Sequence, residues 1–236
     1  MKVFVIHADR LKERGEYMDH MLKRFGIDYE FINEGRSEEK TQAYIDQYLK
    51  DGREPLHQKT PRGLCTISHF LVYERILSEG FEGALVLEDD IALHRHFVAR
   101  FEQSIQEFRE RYANHRVLIS YEDSTLRFIP RSQREKNRML YPADKGRTAG
   151  AYFINNLAAK AILEQLKAER CDVAIDLYHN ELIQNHVIDC LWSQPAIATQ
   201  GSFTGAIPSS LVADDHFIRL RWFFKKNYKR LLYWLR

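Results

Sequence analysis

The chain has 236 residues, of which 44% are hydrophobic and 29% are charged, and its formal net charge is +2. This length and this hydrophobic share suffice to bury a full core, which excludes a disordered or fibrous protein. The three cysteines, Cys65, Cys171 and Cys190, are widely spaced in apolar surroundings. They predict reduced, buried thiols, no disulfide or zinc framework, and no metal bound at sulfur. We therefore expect one main domain with a small appendage.

The N-terminal segment predicts a βαβ unit. Residues 2–6 form an apolar strand pattern without the charged, apolar and small-residue sections of a secretory signal, which predicts a cytoplasmic protein. Residues 11–25 have helical periodicity that is stopped by Gly26, and residues 27–32 predict a second strand. The mouth of such a unit is a place where nucleotides bind.

The following segments continue an α/β pattern without internal repeats or low-complexity linkers. Residues 37–49 predict a polar helix, residues 51–62 a loop, and residues 64–77 a buried helix that is closed by Gly80. This alternation is typical of an α/β domain.

An apolar run over residues 83–87 then ends abruptly in three acids, Glu88, Asp89 and Asp90. The run predicts a strand covered on both faces, and ligands of open α/β sheets bind at the carboxyl ends of such strands. Side-chain alternation places Glu88 and Asp90 on one face. Two carboxylates about 4 Å apart repel by roughly 4 kcal/mol at an effective dielectric near 20, and a divalent cation reverses this repulsion. The run predicts a metal site, although an acidic strand end is also typical of a solvated loop.

Beyond the acidic strand, helices are predicted over residues 100–111 and 173–183, and strands over residues 117–121 and 149–154. Between them, residues 127–147 form a long polar and basic segment, with strand residues near 139–141. A long charged segment within a compact domain is typical of a mobile active-site lid, and equally of a solvated loop. Its positive charge suits a diphosphate or a phosphorylated acceptor.

The C-terminal segment is a separate electrostatic unit. From His216 to Arg236 there are seven Lys or Arg residues and no acid. A helix from Phe217 onward gathers apolar side chains on one side and basic ones on the other. The charge excludes a membrane span, and the pattern favours a helix in the interface of an anionic membrane. Packing on the domain, or binding nucleic acid or a calmodulin-like partner, is the alternative. The apolar side comprises Phe217, Leu220, Phe223, Phe224, Tyr228, Leu231, Trp234 and Leu235, and the basic side Arg219, Arg221, Lys225, Lys226, Lys229 and Arg230.

Several familiar catalytic motifs are absent from the sequence. It contains no G-x-G-x-x-G, no Walker loop, no H-E-x-x-H and no pair of C-x-x-C motifs. Residues 201–205 place their serine at the wrong position for a nucleophile elbow. These absences argue against a dinucleotide oxidoreductase, a kinase, a zinc protease and a serine hydrolase.

Six ordered motifs along residues 2–205 resemble glycosyltransferase family 25, which includes bacterial lipopolysaccharide and lipooligosaccharide galactosyltransferases. His7 stands where the family often has Asn, and Cys171 where a Pro is common. The motifs are the strand with Asp9, Arg10 and Arg14, the segment Gly63 to His69 with Ser68, the acidic strand Leu87 to Asp90, the segment Gly146 to Ile154, the Asp172 segment, and Gln194-Pro195.

The resemblance implies a GT-A type, Rossmann-like nucleotide-sugar-binding domain over residues 1–208, and the amphipathic pattern predicts a basic membrane-docking tail over residues 209–236. It implies inverting transfer of a hexose, with UDP-galactose as the first expected donor and a lipid-linked saccharide of lipopolysaccharide or lipooligosaccharide as acceptor. The enzyme is expected to lie peripherally at the inner face of the cytoplasmic membrane, through residues 217–236, with no nucleic-acid partner. The alternatives are another UDP-sugar, such as glucose or an N-acetylhexosamine, and a non-catalytic membrane- or polyanion-binding module.

The resemblance also implies a set of site residues. Mn²⁺ or Mg²⁺ is expected at Asp90, with Asp89 or a later residue, because its ligands are hard oxygens that suit a cation acting on a diphosphate. Inversion needs a base separate from these carboxylates. The family motif favours Asp172, with Asp176 as the weaker candidate on the same helix face, while a helix N-cap is the alternative for Asp172. Donor or acceptor contacts are expected from Arg10, Arg14, His69, Glu88, Thr148, Gly150 and Tyr152.

For several of these residues a purely structural role is the alternative. Arg10 and Arg14 are also interpretable as solvated charges, His69 as a core histidine, and Gly150 as a strand bulge. His179 and His186 are candidates to complete the metal shell, with solvated helix positions as the alternative.

Overall fold

The computed structural model describes residues 1–33, 38–201 and 216–235. Its strands are β1 (Lys2–Ile6), β2 (Glu30–Ile32), β3 (Gly83–Glu88), β4 (Ile91–Leu93), β5 (Val117–Ser120), β6 (Leu140–Ala143), β7 (Ala151–Asn155), β8 (Asp189–Ser193) and β9 (Ala198–Gln200). Its α-helices are α1 (Lys12–Arg24), α2 (Glu38–Tyr48), α3 (Pro61–Ser78), α4 (Phe97–Arg111), α5 (Asn156–Ala168), α6 (Ile175–Gln184) and α7 (His216–Leu235).

Seven of these strands form a mixed, mostly parallel sheet in the order β2-β1-β3-β7-β5-β8-β6. β1 is parallel to β2 and β3, and β5 is parallel to β8. β7 is antiparallel to both β3 and β5, and β6 is antiparallel to β8. β4 and β9 pair separately as a small two-stranded sheet. The α/β class predicted from the sequence is therefore confirmed.

Two hydrophobic cores cover the two faces of the sheet. In β1, Phe4 and Ile6 belong to one core and Val3 and Val5 to the other, as the alternation of side chains along a strand requires. The first core contains residues of α2, α3, α5 and α6, and the second contains residues of α1 and α4. Burial on both faces explains why the strand sequences are continuously apolar.

Local signals account for the ends of several helices. At α1, Gly26 has a φ of +67°, and the N–H of Ile27 bonds to the carbonyl of Leu22. This C-terminal turn occupies residues predicted as strand, so β2 has only three residues. α3 begins at Pro61, three residues before its predicted start, because Thr60 caps the N–H of Gly63 and Pro suits the first helical position.

The basic segment over residues 127–147 is only partly a loop. It contains a short 3-10 turn, Arg131–Gln133, and β6, which pairs with β8 at the edge of the sheet. The strand residues predicted near 139–141 are thus confirmed. Arg147 at the end of the segment is 4% exposed, and its guanidinium lies 4.7 Å from the ring centre of Trp192. This anchorage fixes the C-terminal part of the segment to the body.

The C-terminal helix α7 packs on the body through its basic side. Lys226 Nζ lies 2.7 Å and Arg230 Nη2 lies 3.3 Å from Oδ2 of Asp123, which is fully buried. Tyr233 adds a ring contact with Phe128. Its exposed apolar side chains are Phe223, Phe224, Tyr228, Leu231, Trp234 and Leu235. Within the described residues, no helix has the length and apolar character that a membrane span needs.

Candidate active site

Four strand ends meet at one edge of the sheet. Ile6 of β1 lies beside Glu88 of β3 in parallel register, and Leu87 lies beside Ala151, the first residue of the antiparallel β7. Ser120, the last residue of β5, is paired with Tyr152 of β7. Because ligands of open α/β sheets bind outside the carboxyl ends of the strands, this edge is the expected crevice. It brings together His7, Glu88, Asp89, Asp90, Glu122 and Gly150, which we call the acidic cluster.

Asp89 is held by two groups from the β1–α1 unit. His7 Nδ1 lies 2.8 Å from its Oδ2, and Arg14 Nη1 donates to its Oδ1 at 2.8 Å. Arg14 Nη2 lies 4.0 Å from Asp90 Oδ2. Arg14 therefore supplies positive charge between the two carboxylates and reduces the repulsion that suggested a metal. With only 12% of its side chain exposed, Arg14 is not a solvated charge.

The backbone turns directly after Glu88, so the predicted alternation does not extend through all three acids. β3 ends at Glu88, and Asp89 and Asp90 form the turn that leads into β4. Both aspartates interact with Arg14, whereas Glu88 is turned towards α3 and β9. The expected pairing of Glu88 with Asp90 on one strand face is therefore wrong.

Glu88 lies among side chains of α3 and β9. Its Oε1 is 3.6 Å from His69 Nε2 and 3.9 Å from Cys65 Sγ, and its Oε2 accepts from Gln200 Nε2 at 3.4 Å. Burial raises the pKa of Glu88, and the negative charges of Asp89 and Asp176 raise it further. Perturbed carboxyl groups of this kind are common in functional sites.

Glu122 is a second buried carboxyl group at the same edge. Its Oε1 accepts the N–H of Gly150 at 2.9 Å, while the carbonyl of Gly150 accepts the N–H of Glu88 at 2.8 Å. Burial raises the pKa of Glu122 to about 7. Glu122 is not among the site residues predicted from the sequence, although it directly follows the predicted strand at residues 117–121. The signal that identified Glu88, an acid at the end of an apolar strand, was present there too.

A buried chain of hydrogen bonds starts at His69. Its Nδ1 lies 2.7 Å from the hydroxyl of Tyr152, which lies 2.8 Å from the hydroxyl of Tyr73, which lies 2.6 Å from His179 Nε2. Burial lowers the pKa of both histidines to about 3, so both are neutral. The expectation of a solvated His179 is wrong, since only 3% of it is exposed. Tyr152 supports His69 rather than facing the crevice.

The two predicted base residues are in different surroundings. α6 begins at Ile175 with Ala174 as its N-cap, so Asp172 lies outside the helix. The predicted shared helix face with Asp176 and the alternative N-cap role are therefore both wrong. Asp172 Oδ1 lies 2.6 Å from Arg53 Nη2, and this guanidinium holds the pKa of Asp172 below its usual value. Asp176, in the first turn of α6, acts electrostatically on both His69 and Glu88.

The remaining predicted residues are more peripheral. Arg10 is exposed in the turn between β1 and α1, and Thr148 is half-buried beside Glu122. His186 is exposed beyond the end of α6, with a φ of 56°. Cys171 and Cys190 are buried thiols as predicted, whereas Cys65 is half-buried.

Gly150 is packed closely against side chains of β4 and β9. A Cβ at this position would lie 2.7 Å from Ile91 Cδ1 and 3.3 Å from Gln200 Cγ. The missing side chain therefore lets β7 pack against β4 and β9. This contact explains the glycine without requiring a sugar at its backbone.

We predict that Gly150→Ala lowers the free energy of unfolding by about 1–3 kcal/mol, the usual cost of overpacking. Urea denaturation measures this change. Gly146→Ala is the matched control, because its Cβ would meet only Asn180 Oδ1, at 3.6 Å. Equal unfolding midpoints for the two variants would contradict the packing role of Gly150.

A cavity of about 770 Å³ lies elsewhere, beside β2 and α3. Its lining includes Phe31, Asn33 and Tyr44, together with the ion pair of Glu30 and Arg75. The carboxyl groups with raised pKa values are instead half-buried Glu88 and fully buried Glu122. We place the candidate active site at the acidic cluster because its titratable groups can take part in chemistry.

Comparison with known proteins identifies the family of the chain. The model of glycosyltransferase family 25, described as an LPS biosynthesis protein, matches residues 1–179. A glycosyltransferase 25 family member from Aedes aegypti is 26% identical over 198 residues, covering 78% of this chain and 31% of that protein. The chain thus spans less than a third of the length of this curated relative.

Solved structures show weaker similarity. A197 from STIV has a TM-score of 0.41 at 16% identity, covering 81% of each chain. A putative glucose-1-phosphate thymidylyltransferase from Bacillus anthracis, in complex with a sucrose, has a TM-score of 0.43 at 13% identity, covering 96% of this chain and 95% of that one. These scores are too low to establish a shared fold. The family model, in contrast, spans the whole acidic cluster and most of the sequence, and the chain belongs to glycosyltransferase family 25.

Proposed function

We propose that this chain is an inverting glycosyltransferase with a GT-A type domain that moves a hexose from a nucleotide sugar. The observation that carries the proposal is the family match over residues 1–179, which contains every member of the acidic cluster. The position of this cluster supports it, because nucleotides bind at the carboxyl ends of strands in open α/β sheets. UDP-galactose is the donor we propose first, with UDP-glucose and UDP-N-acetylhexosamines as the other donors.

The His7, Asp89 and Arg14 contacts suggest how the donor side of the crevice is organised. Asp89 fixes Arg14 at the start of α1, with most of its side chain buried. In this proposal Arg14 holds the acidic turn in place and contributes positive charge near the donor diphosphate. Arg10, exposed in the same turn region, is free to contact the outer phosphate oxygens. Glu88 remains the proposed contact to the donor ribose.

The carboxylate oxygens of Asp89 and Asp90 allow a divalent cation to bind at one of these two residues. We place Mn²⁺ or Mg²⁺ at Asp90, in the turn after β3, because its hard carboxylate oxygens suit either ion. When bound, the cation supplies Lewis-acid stabilisation of the departing diphosphate.

The base that activates the acceptor hydroxyl is proposed to be Asp176. It acts electrostatically on Glu88 and His69 from the first turn of α6, a different element from the one that carries Asp90. Asp172 is engaged by Arg53 instead. A base opposite the diphosphate removes the hydroxyl proton as the acceptor oxygen attacks the anomeric carbon, and the configuration at that carbon inverts.

The acceptor is proposed to be a lipid-linked saccharide, and α7 provides the argument. Phe223, Phe224 and Leu231 of α7 are 57%, 63% and 54% exposed. Exposed Arg221 and Lys225 flank this apolar side. Aromatic and aliphatic side chains beside basic ones suit the interface of an anionic membrane. A location at the inner face of the cytoplasmic membrane would bring the enzyme to such an acceptor.

The membrane proposal predicts that Phe223→Ser combined with Phe224→Ser weakens binding to anionic vesicles at least tenfold, since each buried aromatic contributes about 1.5–3 kcal/mol. Deleting residues 217–236 should abolish binding while nucleotide-sugar binding is largely retained. Added salt should also weaken binding, at about 1 kcal/mol per basic residue near the surface. Vesicle sedimentation measures these effects.

Asn227→Ser is the matched control for the vesicle experiment, because it changes an exposed polar residue of the same helix. Equal sedimentation of the native chain, the double variant and the deletion would refute the membrane role. In that case the contacts of Lys226 and Arg230 with Asp123 describe the whole role of α7.

A donor screen tests the proposed function itself. Release of UDP is measured with each nucleotide sugar, in the presence of Mn²⁺ and a lipooligosaccharide acceptor. We expect turnover with one UDP-hexose and an inverted anomeric configuration in the product. A non-catalytic polyanion-binding module would instead show no metal-dependent binding of any nucleotide sugar.

A further inference from the structure

Cys65, His69 and Glu88 converge at the inner wall of the crevice. Cys65 and His69 are four residues apart on α3, which places them on the same helix face. Their ligand atoms and a carboxylate oxygen of Glu88 all lie within 4.8 Å of one another. The shortest separations are 3.6 Å, from His69 Nε2 to Glu88 Oε1, and 3.9 Å, from Cys65 Sγ to the same oxygen.

The His69 ring is held so that Nε2 points at this cluster. The residue has no exposed surface, and Nε2 has no hydrogen-bond partner among the described residues. Nδ1 is engaged by the hydroxyl of Tyr152, which leads on to Tyr73 and His179. If each group in this chain donates its hydrogen to the next group in the direction of His179, His69 carries its proton on Nδ1. Its Nε2 then presents a lone pair. Metal-binding histidines are commonly oriented in this way by a bond at the other ring nitrogen.

We propose that Cys65, His69 and Glu88 form a site for a borderline-soft divalent cation such as Zn²⁺. The sulfur, nitrogen and oxygen donors suit zinc, whereas Mg²⁺ and Mn²⁺ prefer oxygen alone. Tetrahedral zinc with bonds of about 2.0–2.3 Å separates its ligand atoms by about 3.3–3.7 Å. The observed separations are within about 1 Å of this range, so small side-chain movements close the site.

The charges of the cation and its proposed ligands also balance, as a partly buried metal site requires. Binding releases the thiol proton of Cys65 to solvent, so one thiolate and one carboxylate neutralise the two positive charges of the cation. The fourth coordination position remains open, as in catalytic rather than structural zinc sites. Access is available because 21% of the Glu88 side chain is exposed. This site is distinct from the hard-cation site proposed at Asp90; it shares Glu88 with the proposed donor-ribose contact, and its metal binding is testable without glycosyl transfer.

Co²⁺ binding to the full chain tests this site directly, since a cobalt–thiolate bond gives a charge-transfer absorption band. We expect one equivalent of Co²⁺ to produce the band and Zn²⁺ to remove it by competition, with Mg²⁺ having no effect. Cys65→Ala should abolish the band. Glu88→Gln should weaken binding by about 100-fold or more, and Tyr152→Phe by about 10- to 100-fold, as expected for loss of a supporting hydrogen bond.

Cys190→Ala is the control, because it removes a thiol in β8 and should leave the band unchanged. Zn²⁺ should also raise the melting temperature of the native chain but not of Cys65→Ala. Absence of the band in the native chain, or its persistence in Cys65→Ala, would overturn the proposal. A folded Cys65→Ala variant, checked by circular dichroism, keeps the comparison valid.

Discussion

Asp90→Asn is expected to reduce metal-dependent turnover by about 10²-fold or more while the fold is retained. The substitution keeps the shape of the side chain and removes the carboxylate charge proposed to hold the cation. Lewis-acid stabilisation contributes several kcal/mol, and each 1.36 kcal/mol corresponds to a tenfold change in rate. Steady-state release of UDP, measured across a Mn²⁺ titration, gives both the rate and the apparent metal affinity.

Asp89→Asn is the informative comparison for Asp90→Asn. Asp89 is buried between His7 and Arg14, so its substitution should lower the melting temperature because it leaves Arg14 without its close partner. Its apparent Mn²⁺ affinity should stay close to that of the native chain. Undiminished turnover in Asp90→Asn, or full activity in excess chelator, would remove the proposed metal role. A large loss of Mn²⁺ affinity in Asp89→Asn alone would assign the cation to Asp89.

Asp176→Asn is expected to lower transfer by about 10²-fold or more with little change in donor affinity, because general-base catalysis contributes on the order of 10²–10⁴. Donor affinity is measured by calorimetric titration of UDP, and transfer by a single-turnover assay. A loss of donor binding in parallel with transfer would indicate that Asp176 contacts the donor instead.

Asp172→Asn serves as the control for the base, since the sequence alone favoured this residue. Its carboxylate pairs with Arg53, and the pair should stabilise the contact between the segment before α6 and the loop after α2. We expect a lower melting temperature and nearly normal transfer. The opposite result, normal transfer in Asp176→Asn and a large loss in Asp172→Asn, would restore Asp172 as the base and refute the assignment made from the structure.

The sequence predicted the elements whose signals are local. β1 was predicted with the same bounds as in the structure, and α1 within one residue at each end, because apolar periodicity and a following glycine act over a few residues. The acidic end of β3 was equally visible. β4, β8 and β9 were not predicted, since these short strands depend on partners distant in sequence, such as Ile91 with Gln200.

In the candidate site, too, the sequence predicted the local features and not the long-range contacts. Sequence order alone identified acids at the end of a strand and a buried helix that carries His69. It did not show that Arg14 lies between Asp89 and Asp90, because that contact spans 75 residues. It also placed His179 in solvent, whereas packing of α6 on α3 buries it against Tyr73.

By itself, the sequence determined the α/β class, the acidic strand end, the basic amphipathic pattern of the C-terminal helix and the resemblance to the family. Each of these follows from residue type and spacing along the chain. Only the tertiary structure decided which acids are engaged: Arg53 holds Asp172, Arg14 holds Asp89, and the charge of Asp176 acts on Glu88. The reason is physical, because the protonation and availability of a carboxylate depend on burial and on charges within a few ångströms, which come from distant parts of the chain.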